Sequence, residues 1–306
     1  YAAELVGWSP GAPARREPAP AAAKAERDPS REIGFILDHA VRIPGTPAAA
    51  YLAGRGLGVV DAPDLLAHAD LTHWETKCGF PAMIGVVRNL AGEAVAIHRT
   101  YLQTDPEDPS KVTKAAVAKP RMMLGKVAGG AVRLAPINPG AALGLCEGIE
   151  TGLAVMTACA GLPVWATLST AGLEQVQLPP EARRIVILAD HDASGAGTRA
   201  AETAARRLRG EGRQVAIAIP PDEGSDFNDV LLRAGPEAVA AIVEAAFAMK
   251  EGEEAAPVPD FTGRHLPIGF AEPNGSLPTL RADEGDLARA VDRAWGVLLA
   301  SNRTPW

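Results

Sequence analysis

The sequence predicts an α/β fold: a parallel sheet flanked by helices on both faces, preceded by a smaller α+β subdomain. Two observations support this. Beyond Pro139, short apolar and β-branched runs alternate with helical stretches, and before it two apolar runs are separated only by turn residues. The first pattern belongs to parallel strands joined by crossover helices, the second to a hairpin.

Ile33, Ile36, Leu37, Ala40 and Val41 fall at helical spacing and predict a first helix. Thr46-Pro47 supplies an N-cap and a proline at the first helical position for a second helix through Tyr51 and Leu52, which Gly54, Gly56 and Gly58 stop. The runs 82–87 and 94–98, separated by Asn89-Leu90-Ala91-Gly92, read as a hairpin whose second strand continues through Leu102. A polar loop from Thr104 to Ser110 follows. Beyond Pro139 the order is strand 142–146, helix 150–160, strands 163–168 and 184–189, helix 196–209 and strand 215–220. In sheets of this kind, ligands collect beyond the carboxyl ends of the strands.

Composition sets the organisation around this core. At 306 residues and 47% hydrophobic content the chain can bury one large or two modest cores. Residues 1–30 are rich in Ala and Pro and predict a flexible linker. The expected organisation is that linker, an α+β subdomain over 31–140, the parallel-sheet domain over 141–250, a second linker over 251–281, and a helix over 282–306 that opens a further domain. A chain starting at Tyr1 also leaves room for an upstream metal-binding module such as a zinc module. No uninterrupted apolar run reaches the roughly 18–20 residues of a membrane helix, and residues 1–10 lack the order of a signal peptide, so the expected location is cytoplasmic. The widely spaced Cys78, Cys146 and Cys159 predict reduced thiols.

Charge is distributed unevenly. The net charge of -7 argues against a protein that coats nucleic acid by bulk positive charge. Residues 81–140, however, hold eight Lys or Arg against four Asp or Glu, whereas residues 141–235 hold eight against twelve. A basic segment thus leads into an acidic one, which suits a polyanion on one side and metal ions on the other.

The chemistry concentrates at two predicted strand ends. Leu143-Gly144-Leu145-Cys146 delivers Glu147, followed by Gly148, which is expected to let the backbone turn tightly into a helix. Ile185 to Ala189 ends in Asp190-His191-Asp192, with Ser194-Gly195-Ala196-Gly197 before the next helix. Three carboxylates converging there repel one another unless a cation neutralises them, and such oxygen-rich sets suit Mg²⁺ or Mn²⁺. His191 reads as an exposed spacer and His98 as a packed strand residue.

This order of Glu-Gly, strand, strand and Asp-x-Asp, with the later cluster Ser225-Asp226-Phe227-Asn228-Asp229, resembles the Toprim domain of DnaG-type primases, type IA and II topoisomerases, and some nucleases. It is most similar to the Toprim primase-like proteins of phages and plasmids. Thr46-Pro47 through Arg55-Gly56-Leu57, His98 to Leu102, Met123-Leu124-Gly125 and Cys146 to Thr151 carry the resemblance, which spans roughly residues 31–235. It implies Glu147, Asp190 and Asp192 as catalytic metal ligands, with Asp226 and Asp229 as further ligands; read alone, those last two equally cap the helix that follows. DnaG-type primases carry Asp four residues after the glutamate; this chain has Thr151, with Glu150 one place earlier, and Asn228 stands where a second late Asp is common.

The resemblance also turns Arg99, Lys119, Arg121 and Lys126, otherwise a solvated surface, into contacts for nucleic-acid or nucleotide phosphate. The implied partners are single-stranded DNA, nucleoside triphosphates and a replicative helicase, in trans or on a missing C-terminal domain. The implied activity is Mg²⁺- or Mn²⁺-dependent nucleotidyl transfer, read as primer synthesis by a DNA primase. A non-catalytic recruitment module and a Toprim nuclease are the competing readings. No G-x-x-x-x-G-K-[ST] occurs, so this segment carries no P-loop of its own.

Overall fold

The computed structural model describes residues 28–58, 62–108, 110–127, 129–138 and 140–248. Most of the first predicted linker, and all of the second linker and the helix near residues 287–299, lie outside the described residues. The chain opens with α1 (Ser30–Asp38), β1 (Val41–Arg42) and α2 (Pro47–Gly54). A run of strands follows: β2 (Leu65–Thr72), β3 (Gly79–Arg88), β4 (Ala94–Thr104), β5 (Val112–Lys114), β6 (Arg121–Gly125) and β7 (Ala131–Arg133). The alternating part comprises β8 (Ala142–Cys146), α3 (Ile149–Ala158), β9 (Val164–Ala166), α4 (Thr170–Gln175), β10 (Arg184–Leu188), α5 (Ala196–Gly210) and β11 (Gln214–Ala218). Helices α6 (Phe227–Ala234) and α7 (Pro236–Ala248) complete it. No helix among the described residues is long and apolar enough to cross a membrane.

The sheet runs β1-β2-β3-β7-β9-β8-β10-β11, with β4 paired to β3, β5 and β6. Only the β9-β8-β10-β11 portion is parallel; the remaining pairs are antiparallel. Short β7 joins the halves, pairing Val132 with both Val87 of β3 and Ala166 of β9.

The parallel portion is buried on both faces, as its near-continuous apolar strands require. Val186 and Leu188 of β10 pack into the core of α3, α6 and α7, which contribute Leu153, Phe227 and Val243. Ile185 and Ile187 face the opposite core, where Ala200, Ala201, Ala204 and Ala205 let α5 approach closely. A third cluster lies between α1 and the β3-β4 hairpin: Ile33 and Ile36 on Ile84, Ile97 and Tyr101.

Several local expectations need correction. The first helix stops at Asp38, so Val41 is a strand residue paired with Ala67 and exposed to solvent. Strands β2, β5, β6 and β7 and helix α4 were not foreseen. In β2 a bulge between His68 and Leu71 moves Leu71 to the core under α1, whereas Leu65 and Ala67 pack in the core with Tyr51 and Leu52. The thiols are free, but Cys78 is exposed whereas Cys146 is buried.

Two helical glycines make a paired test of the packing. A Cβ at Gly152 of α3 would lie 2.6 Å from Leu134 Cδ1 and 3.0 Å from Cys146 Sγ. At Gly34 of α1 it would meet nothing within 4 Å. Gly34→Ala should therefore stabilise the chain by up to about 1 kcal/mol through helix propensity. Gly152→Ala should destabilise it, because overpacking costs about 1–3 kcal/mol. Urea denaturation of both variants reads the difference; equal effects would contradict the close contact of α3 with the sheet.

Candidate metal site

Parallel pairing of β8 with β10 sets Cys146 beside Leu188. Glu147 and Asp190 consequently leave the sheet at the same edge, at the carboxyl ends of adjacent strands. Gly148 is the N-cap of α3 with an ordinary extended backbone, φ -92° and ψ 144°. The turn thus needs no glycine-only conformation. Glycine is favoured there by space, since a Cβ would lie 3.2 Å from Thr151 Oγ1. Thr151 donates to Asp190 Oδ1 at 3.4 Å, so the hydroxyl at the position of the usual Asp supports Asp190.

Asp192 faces the start of α5. Its carboxylate accepts from the amides of Ala196 at 3.1 Å and Gly197 at 2.7 Å, and from the Ser194 hydroxyl. These donors bring its pKa down to about 2. Gly197 permits the approach, because a Cβ there would sit 2.7 Å from Asp190 O. His191 is half-buried rather than exposed, with Nδ1 against Pro220 O at 2.8 Å.

The acids feel one another. Burial, then Asp226 and Glu147, push Asp190 up to about 6. Burial and Asp192 raise Glu147, with Arg121 opposing. Cys146 is raised strongly by burial and then by Asp190, Glu147 and Glu150. Among the described residues no three His, Cys, Asp or Glu side chains converge closely enough to hold an ion. The donor set nevertheless fits a hard divalent cation in chemistry: carboxylate oxygens on adjacent strand ends whose ionised forms repel.

Asp226 and Asp229 form a capping box on α6. Asp229 N donates to Asp226 Oδ1 at 2.8 Å, and Asp226 N to Asp229 Oδ2 at 3.2 Å. Asn228 between them is buried and donates to Arg55 O at 2.9 Å.

Facing α3 is a polar cluster that sequence reasoning did not assemble. Glu150 is buried, accepts from Tyr51 Oη at 2.8 Å and pairs with Lys114 Nζ at 3.6 Å. Burial pushes its carboxyl up, but Lys114, a backbone amide and Tyr51 outweigh this and hold it below the usual value. Burial brings His98 down to about 4, helped by Arg121 and Lys114. Buried Arg55 Nε, His98 Nδ1 and Asn228 Oδ1 have no hydrogen-bond partner. Tyr51, Arg55 and His98 all lie in the motifs quoted for the resemblance; Lys114 had no signal beyond its charge.

The four predicted phosphate contacts separate. Arg121 is exposed at the start of β6 and acts electrostatically on Glu147 and Glu150. Lys119 is exposed and paired with Glu75 at 2.6 Å. Lys126 is exposed just past β6. Arg99 is a correction: it is 6% exposed, and its Nη2 donates to Met123 O at 3.1 Å. Strand alternation places it on the face of β4 that carries Ile97 and Tyr101, opposite to His98.

The raised Asp190 makes a signed prediction for the metal-free chain. Its folded pKa of about 6 lies above the ordinary 3.8, so the folded state binds the proton more tightly. The stabilising contribution is present below pH 3.8 and is lost as pH rises through about 6. Asp190→Asn removes this loss and should stabilise the chain by about 1–3 kcal/mol at pH 8, with little effect near pH 4. Denaturant melts in chelator at both pH values measure it; a variant weaker than wild type at pH 8 would contradict the cost of burying this charge beside Asp226 and Glu147.

Comparison with known proteins follows the two halves of the sheet. Residues 27–134 match a domain of unknown function (DUF7146), and residues 142–237 match the Toprim domain. No curated protein matches the sequence. Among solved structures, the primase fragment of the bacteriophage T7 primase-helicase protein is similar at 18% identity. That likeness covers 66% of this chain and 80% of that one, with a TM-score of 0.43. A DNA primase domain from Pseudomonas aeruginosa is 16% identical over 71% of this chain and 77% of its own, with a TM-score of 0.46. The stretch similar to the Toprim domain, residues 142–237, is the one that carries Glu147, Asp190 and Asp192.

Proposed function

We propose that the chain catalyses metal-dependent nucleotidyl transfer on nucleic acid, as a primase-like enzyme that builds primers on single-stranded DNA in phage or plasmid replication. The observation that carries this reading is the pairing of two repelling carboxylates, Glu147 and Asp190, with the exposed guanidinium of Arg121 acting across the same edge. A basic group opposite strand-end acids suits a substrate that brings both phosphate and a need for divalent metal.

Glu147 and Asp190 would hold Mg²⁺ or Mn²⁺, with Asp192 as the third carboxylate once it gives up part of its hold on α5. When bound, the ion offsets charge on the transferring phosphoryl group and lowers the pKa of the attacking hydroxyl. Thr151 fixes the Asp190 carboxylate through its hydroxyl. Lys114 and Arg121 supply positive charge for the triphosphate, and Glu150 holds Lys114 in place by ion pairing. The proposed partners are single-stranded DNA, nucleoside triphosphates and a replicative helicase. The capping box favours a second reading: Asp226 and Asp229 are engaged by amides, and a chain lacking a second metal position would bind nucleic acid without extending it.

One assay separates these readings. The full chain is incubated with single-stranded DNA, labelled nucleotides and Mg²⁺ or Mn²⁺, and products are sized. Primer synthesis predicts oligonucleotide growth that Glu147→Gln lowers at least about 100-fold, because electrostatic stabilisation of this kind is worth roughly 10²–10³ in rate. DNA binding by that variant should persist. Strand cleavage would support the nuclease reading, and metal-independent binding without growth or cleavage the recruitment reading.

A further inference from the structure

The loop between β2 and β3 combines three features that the proposed chemistry leaves unused. Trp74 is 63% exposed, an unusual position for the largest apolar side chain. Lys77 adopts the left-handed backbone, φ 60°, which a residue with a Cβ rarely takes and which so needs enforcing by its surroundings. The ammonium of Lys77 sits 3.7 Å from the Trp74 ring centroid, covering one aromatic face.

The enforcement comes from His73, which is fully buried against Tyr101. Its Nδ1 accepts from Thr76 N at 3.2 Å, which leaves Nε2–H to donate to Lys119 O at 3.1 Å. Backbone bonds from His73 N to Cys78 O at 2.8 Å and from Lys77 N to His73 O at 2.9 Å close the turn. The loop is therefore built as a rigid display and docked onto the segment that carries Lys119. Two residues further along that segment is Arg121, which opens β6 beside the strand-end acids.

We propose that Trp74 is a base-stacking platform for single-stranded nucleic acid, with Lys77 and Lys119 as its phosphate contacts, on the strand's path toward Arg121. This rests on the reading of the preceding section. Base stacking on an exposed aromatic beside lysines is the usual means of holding a single strand without sequence readout. The surroundings disfavour a protein partner, since Glu75, Thr76, Lys77 and Cys78 are exposed and do not extend the apolar patch. Glu75 neutralises Lys119 in the free chain. An exposed pair of this kind is weak enough for a phosphate to displace.

The test is fluorescence anisotropy of a labelled oligo(dT) of about 20 nucleotides, a length above the roughly 4–16 of common single-strand sites. It is run on the full chain across a salt series. Trp74→Ala should weaken binding about 5- to 100-fold with an unchanged salt slope, while Trp74→Phe retains most of the affinity. Lys77→Ala should lower the slope by about 0.7, the value of one lost phosphate contact. Trp74→Ala binding like wild type overturns the platform and leaves the proposed function standing. Equal weakening in the Ala and Phe variants with a lowered melting temperature assigns Trp74 a structural role and overturns it also. A wild-type chain without affinity for oligo(dT) overturns both.

Discussion

The register between β8 and β10 is the constraint on which the site depends. Because Cys146 stands beside Leu188, the acids that follow cannot avoid one another. A slip of one residue would exchange the faces of a strand and send Leu145 or Ile187, fully buried in one core, into the core on the other side of the sheet. The same pairing that maximises apolar burial therefore sets Glu147 beside Asp190, whose pKa is raised to about 6 by burial first and then by Asp226 and Glu147. A fold that keeps such an arrangement concentrates its electrostatic strain where a cation can relieve it.

The two halves of the sheet meet at this edge through different interactions. Three-residue β7 carries the backbone hydrogen bonding from β3 to β9, while side-chain links come from Glu150, bonded to Tyr51 of α2 and Lys114 of β5, and from Asn228, which donates to Arg55 O. A buried carboxylate held between a phenol and an ammonium is costly to desolvate, so losing Lys114 would leave its charge unpaired and losing Tyr51 would remove a hydrogen bond from it. This joins the placement of Lys114 and Arg121 to that of α3, whose N-terminus follows Glu147 directly.

Much of the parallel half was legible because its strands are continuous apolar runs ending in acids. The boundaries of β8 and β10 fall within one residue of those expected, and Glu147, Asp190 and Asp192 emerge at one edge. The antiparallel half was less legible, since β5 and β7 have three residues each and depend on neighbours contributed by distant segments. Arg99 illustrates what charge alone misses: parity with Ile97 and Tyr101 would have sent it to the buried face. Asp192 shows the opposite limit. Ser194, Ala196 and Gly197 look in the sequence like a turn before a helix, yet they also supply the donors that draw the carboxylate toward α5.

Titration calorimetry of Mn²⁺ into the wild-type chain and into a Glu147→Gln, Asp190→Asn double variant tests the central claim most directly. The account predicts one ion bound per wild-type chain and at least about a tenfold loss of affinity in the double variant, within the range seen when ligands or their supports are removed. Equal binding by both chains, or none by wild type, would contradict it.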